Sequence, residues 1–156
     1  MPRRLEVRNS AIHGRGVFAL QPIAAQRYIA RYGGVLRTHE EAELTDLHGI
    51  DSGHTFLFSL NDRYLLDATR SRCSAKWFNH SCKPNCESVL IEHRGRNRRL
   101  DRIAFRTIAD IQVGDELTLD YGIQLPQKPT ARLKAIWRCL CGHSTCKGTM
   151  LSCPDK

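Results

Sequence analysis

The sequence predicts a mainly β fold with short helices, of the α+β kind, on three observations. Apolar residues fall in runs of strand length, Gly, Asn, Asp or Arg break those runs, and only two stretches carry helix start signals. In chain order the strand-like runs are Leu5–Arg8, Gly16–Leu20, Tyr28–Arg31, His54–Leu60, Tyr64–Asp67, Ser88–Glu92, Arg102–Thr107 and Glu116–Asp120. They are rich in Val, Ile, Phe, Tyr and Leu, side chains that suit a pleated, half-buried surface. After the third run, Thr38-His39-Glu40-Glu41 places a Thr three residues before a Glu, the capping-box pattern, and opens a short acidic helix to about Leu47. Glu92 to Arg99 joins two strand-like runs through turn residues and predicts a basic hairpin tip. Pro126-Gln127-Lys128-Pro129 reads as a linker, and a second helix starts at Thr130 and carries Leu133, Ala135, Ile136 and Trp137. The expected organisation is a main domain over 1–125, then a linker and C-terminal segment over 126–156.

A chain of 156 residues has room for about one domain, on a prior of ~100–200 residues each. With 41% hydrophobic and 26% charged residues it is neither a disordered tail nor a fibrous repeat. Lys and Arg total 24 against 16 acids, a formal charge of +8 that favours acidic partners, nucleic acid above all. No apolar run approaches the ~18 residues a membrane helix needs. Met1-Pro2-Arg3-Arg4 leads into a mixed segment, so neither a membrane partner nor secretion by a classical signal is expected. Seven cysteines, an odd count, argue for metal ligation plus some free thiols over a disulfide framework.

Gly14-Arg15-Gly16-Val17-Phe18-Ala19 has the form of a dinucleotide fingerprint, but the glycines lead into a strand-like run and then Pro22, where that fingerprint must open a helix. What remains is a tight turn that lets the backbone approach something closely. Cys139, Cys141 and Cys146 form a C-x-C-x₄-C cluster suited to one tetrahedral zinc. The fourth ligand is His143 or a residue from elsewhere, with Cys82 the strongest outside candidate. Cys73, Cys86 and Cys153 have no such grouping and read as buried or idle thiols.

The sequence resembles the SET-domain protein lysine methyltransferases. The resemblance rests on His13-Gly14-Arg15-Gly16, Tyr64-Leu65-Leu66-Asp67-Ala68-Thr69, the N-H-S-C-x-P-N signature from Asn79 to Asn85, E-L-x-x-D-Y from Glu116 to Tyr121, and a post-SET C-x-C-x₄-C, in family order over nearly the whole chain. It implies small twisted sheets, a β-clip, with a C-terminal pseudoknot in which the segment ending at Tyr121 threads past Asn79-His80-Ser81-Cys82, a rare feature in proteins. It implies S-adenosylmethionine as cofactor, in a cleft bounded by His13, Gly14, Arg15 and Gly16, by Lys76 and Trp77, and by Asn79 and His80, with His80 acting largely through its backbone. One structural zinc would be held by Cys82, Cys139, Cys141 and Cys146, pinning the post-SET piece over the cleft.

Tyr121 is the expected catalytic residue, orienting the substrate amine by position and electrostatics. Phe56, Phe58 and Leu119 are the expected walls of the substrate channel. Phe56 stands where the family commonly has an active-site tyrosine, and Leu119 where it usually has Phe or Tyr controlling methyl number. Both withhold hydroxyls, so di- or trimethylated product is expected. The implied substrate is a lysine in a basic protein, such as a histone tail, drawn by Glu40, Glu41, Glu43 and Asp46, while the Arg94 to Arg99 hairpin faces away and contacts DNA. The small form, with no cysteine-rich segment before Leu5, resembles the compact SET proteins of bacteria and viruses. The compartment is then the cytoplasm for a bacterial protein and chromatin for one acting on histones. The alternative function is a non-catalytic SET-like module that binds nucleic acid or chromatin.

Overall fold

Ten short strands and two short helices build three small sheets in the computed structural model, which describes residues 3–45 and 49–152. The expected end of the first helix at Leu47, its Asp46, and Cys153 lie outside the described residues. The first sheet contains β1 (Leu5–Asn9), β2 (Arg15–Ala19), β10 (Glu116–Leu119) and β7 (Asn79–His80), in that order. The second is β3 (Tyr28–Tyr32), β9 (Arg102–Thr107) and β8 (Cys86–Ile91), and the third is β4 (Val35–Thr38), β6 (Tyr64–Asp67) and β5 (Leu57–Ser59). Within these sheets the strand pairings are antiparallel except one. β10 runs parallel to β7, with Thr118 opposite Asn79 and Leu119 opposite His80, so the segment ending at Tyr121 lies along Asn79-His80-Ser81-Cys82.

Every expected strand is present, but His54–Leu60 shortens to β5 at Leu57–Ser59. The Phe56 carbonyl is taken by Ala68 N–H and the Tyr32 hydroxyl, and Ser52 Oγ folds back onto the His54 carbonyl, so the start of the run is held outside the ladder. Two strands gave no sequence signal. β4 follows Gly33-Gly34 and pairs with β6, and β7 is two polar residues stabilised entirely by neighbours distant in sequence.

Both helices start where expected. Thr38 Oγ1 accepts from Glu41 N–H at 3.0 Å and Glu41 Oε2 accepts from Thr38 N–H at 2.9 Å, capping α1 (His39–Leu44). Thr130 caps α2 (Ala131–Ile136) through Leu133 N–H at 3.2 Å. The main core gathers Val17, Phe105, Ile111, Leu117 and Leu119. A second, smaller cluster of Leu133, Trp137 and Leu151 packs with Ile50, Ile123 and Met150, and Trp137 Nε1 donates to the Ile50 carbonyl at 2.8 Å. Deleting so large a buried aromatic typically costs about 3–5 kcal/mol, enough to free a small segment. No helix among the described residues is long and apolar enough to cross a membrane.

Candidate functional site

The G-x-G turn between β1 and β2 is held from three sides. Ser10 Oγ donates to both carboxylate oxygens of Glu116 at 2.8 Å, and Asn79 Nδ2 lies 2.8 Å from Glu116 Oε1, 3.1 Å from the His13 carbonyl and 3.0 Å from that of Arg15. Gly14 adopts φ +43°, in the left-handed region that favours glycine, and a Cβ on Gly16 would collide with the Glu116 carboxylate. Asn85 completes the frame. Its Nδ2 donates to the Glu116 carbonyl at 2.8 Å and its Oδ1 accepts from Thr118 N–H at 2.9 Å, so both asparagines of the N-H-S-C-x-P-N stretch brace β10.

The turn borders a cleft of about 560 Å³, a volume typical of small-molecule sites. His13, Gly14, Arg15, Lys76, Trp77, Asn79 and His80 all line it, as do Tyr121 and Phe56, while Trp137, Leu140 and Met150 of the C-terminal segment close it. Gly16 acts beneath the surface, through the turn's conformation. Cationic Arg15, Lys76 and Arg138 line the cleft, and among the described residues no acidic side chain does. Lys76 Nζ donates to the carbonyls of Ser71 at 2.8 Å and of Ala68 and Thr69 at 3.3 Å, so its ammonium also clamps the preceding turn. The Arg15 guanidinium lies 5.2 Å over the Trp77 ring, Phe56 meets Trp77 edge-on at 5.3 Å, and His54 meets Phe56 edge-on at 4.4 Å. Burial and the nearby His13 hold His54 below its ordinary pKa, so it lines the cleft as a neutral ring.

Tyr121 is fixed at both ends. Its hydroxyl donates to the Phe78 carbonyl at 2.6 Å, and its backbone N–H donates to His80 Nδ1 at 3.0 Å. Burial raises its phenol well above the ordinary value, with Glu116 adding to the effect, so the ring stays protonated and offers only oxygen lone pairs to the cleft. Sequence reasoning missed Tyr32. It is a second buried phenol, raised by burial and then by Tyr121, whose hydroxyl donates to the Phe56 carbonyl at 2.6 Å. Phe58 stacks against Tyr32 at 4.9 Å and Phe105 at 5.8 Å, and Leu119 is buried with its carbonyl accepting from Ser81 N–H. Neither Phe58 nor Leu119 borders the cleft described above, whereas Phe56 does.

The sulfurs of Cys82, Cys139, Cys141 and Cys146 lie within 4.8 Å of one another, with Cys82 Sγ 3.6 Å from Cys139 and 3.8 Å from Cys146. A tetrahedral zinc with Zn–S near 2.3 Å spaces its sulfurs by about 3.8 Å, so the four fit that ion. Backbone N–H groups point at them: Lys147 to Cys82 at 3.4 Å, Gly148 to Cys146 at 3.3 Å and Cys141 to Cys139 at 3.5 Å. Burial raises the Cys82 and Cys139 thiols, while against the same effect N–H groups of His143 and Cys82 and the neighbouring thiols pull Cys141 down to about 6, so Cys141 is the one of these three thiols that ionises most readily. Cys86 is a buried thiol pushed up to about 12 by desolvation, inert as a nucleophile. The cationic, aromatic-edged cleft likewise fits S-adenosylmethionine, whose carboxylate needs positive partners and whose adenine needs apolar walls.

Residues 14–122 match the SET domain profile. The chain is 36% identical over 141 residues to a histone-lysine N-methyltransferase, H3 lysine-4 specific, of Kluyveromyces lactis, covering 89% of this chain and 13% of that protein. Its Saccharomyces cerevisiae counterpart is 35% identical over 141 residues, covering 89% of this chain and 12% of that protein. Histone-lysine N-methyltransferase SETD1 of Drosophila melanogaster is 31% identical over 150 residues, covering 95% of this chain and 8% of that protein. The chain thus spans about an eighth or less of the length of these relatives.

Proposed function

The chain belongs to the SET-domain family, and from that premise we propose that it is a protein-lysine N-methyltransferase acting on a lysine of a basic, histone-like protein. The observation that carries the proposal is the meeting, in one cleft, of the buried Tyr121 phenol, the braced G-x-G turn and the thiol-anchored C-terminal segment. S-adenosylmethionine, when bound, supplies the methyl on its sulfonium. Arg15 and the backbone of the His13 to Gly16 turn would hold it, with His80 and Trp77 beside them. Cys82, Cys139, Cys141 and Cys146 would hold one zinc, which would fix the C-terminal segment carrying Trp137, Leu140 and Met150 as a lid.

Tyr121 orients the amine. Its O–H is committed to the Phe78 carbonyl, so its free lone pairs accept an amine N–H and stabilise positive charge forming on the nitrogen. The amine must be neutral to attack, and from a free pKa near 10.4 that costs about 4–5 kcal/mol at pH 7. Desolvation in the channel lowers the cost, and none of the described residues lining the cleft is a carboxylate that could serve as a base.

The relatives' names specify histone H3 lysine 4, and an H3-type tail at chromatin is the substrate and place we propose to test first. Glu40, Glu41 and Glu43 on α1 give such a tail a negative edge. The basic hairpin is less free than its composition suggests. Arg98 is paired with Asp101 at 2.9 Å and Asp62 at 3.2 Å, and Arg99 lies over Tyr64, leaving Arg94 and Arg96 for DNA phosphates. The hairpin also shares the β5–β6 turn with α1, since Asn61 reaches both the Arg98 carbonyl and His39, so the two charged features are neighbours. The non-catalytic alternative predicts binding without turnover. Incubation with methyl-labelled cofactor and histone or other basic peptides, read by mass spectrometry, separates the two: labelled lysine supports the enzyme, and bound cofactor with no label supports the module.

A further inference from the structure

His80 stands between the thiol cluster and the catalytic tyrosine and touches both. Its Nδ1 accepts Tyr121 N–H at 3.0 Å, so that nitrogen carries no proton, and the neutral ring must bear its proton on Nε2. Nε2 lies 3.6 Å from Cys82 Sγ. The residue is 5% exposed and its ring packs edge-on against the Tyr121 ring at 5.3 Å. Its backbone sits in β7, paired to β10 through Leu119, two residues before Tyr121.

From these contacts we propose that the His80 imidazole is a positioning residue that ties the thiolate cluster to Tyr121. Nε2–H faces Cys82 Sγ at 3.6 Å and Nδ1 fixes the Tyr121 backbone, so the state of the cluster is transmitted to the residue that orients the amine. The expected backbone role of His80 is thereby joined by a side-chain one. Only the kinetic consequence rests on the methyltransferase reading. The link itself is a statement about two hydrogen bonds.

Two substitutions separate the ends of the link. In His80→Asn the side-chain oxygen takes the place of Nδ1 and keeps Tyr121 N–H, but the donor to Cys82 is lost. In His80→Gln the amide nitrogen reaches the place of Nε2 and keeps the donor, but the acceptor for Tyr121 is lost. Partners of metal ligands typically change affinity about 10–100-fold, so His80→Asn should weaken zinc by at least tenfold in chelator competition while the Tyr121 amide keeps its wild-type hydrogen-exchange protection in the zinc-loaded protein. His80→Gln should hold zinc as the wild type does and lose about tenfold in kcat, the weight of one hydrogen bond, with cofactor KM unchanged.

The protein loaded with zinc and then cadmium gives a readout apart from turnover. Long-range ¹H–¹⁵N correlation should place the His80 proton on Nε2, and metal exchange should shift both that proton and the Tyr121 amide. A proton on Nδ1, a Tyr121 amide unmoved by exchange, or equal zinc affinity in the two variants would each overturn the proposal. If those results hold but no methyl transfer is found with any substrate, the link stands and the enzymatic reading falls.

Discussion

The proposed mechanism concentrates the chemistry in one hydroxyl, that of Tyr121. Tyr121→Phe removes the lone pairs that orient the amine and should lower kcat about 100-fold, the scale seen when one preorganised polar partner is deleted, with cofactor affinity little changed by calorimetry. Because burial raises the phenol, it remains protonated past pH 10, and the reactive amine is the group that loses a proton as pH rises. The kcat/KM profile should therefore climb with pH and show no descending limb below about pH 10. Phe56, on the cleft wall, carries no hydroxyl, and the Tyr32 and Tyr121 hydroxyls give their protons to the Phe56 and Phe78 carbonyls, so neither of these phenols offers a proton to a methylated amine. Phe56→Tyr should shift product from di- or trimethyl toward monomethyl-lysine in time-resolved mass spectrometry, and a wild type that stops at monomethyl contradicts this. The place of Tyr121 on the cleft and the grouping of the four cysteines were legible in the sequence because their motifs are short and rigidly spaced. Glu116 and Tyr32 were not, since what they do depends on partners 106 residues away in one case and 24 in the other.

At the scale of elements, local chemistry sufficed wherever a segment satisfies itself. The capping box at Thr38 and the cap at Thr130 depend on residues three apart, and both helices begin where those residues place them. Thr38→Ala should cost about 1 kcal/mol, read from the denaturation midpoint, because it frees one N–H donor of α1. Strand β7 had no such signal. Two polar residues become a strand only because β10 arrives beside them and Asn79 finds three partners around the turn. The acids on α1 make an interaction claim at this same scale. Reversing Glu40, Glu41 and Glu43 to lysine should raise the KM for a Lys/Arg-rich peptide several-fold and leave kcat near wild type. An unchanged KM would remove α1 from the substrate path.

The whole molecule is two cores with a cleft between them. The larger core carries the turn, Tyr121 and Cys82, the smaller carries Trp137, and the other three cysteines belong to the C-terminal segment. The sequence shows a proline-bounded linker before the C-terminal segment but not the closure, because Trp137 reaches back to Ile50 across 87 positions. A structural zinc contributes on the order of 10 kcal/mol to ordering its ligands, far more than the small apolar cluster can supply alone. The C-terminal segment should therefore close the cleft only when its thiolates are joined to Cys82. The decisive measurement pairs elemental zinc with labelled methyl transfer to an H3-type peptide, in the wild-type chain and in Cys82→Ser. The account predicts one zinc per chain and labelled lysine in the wild type, and loss of both in the variant. Full transfer by a metal-free preparation, or by Cys82→Ser, would contradict it.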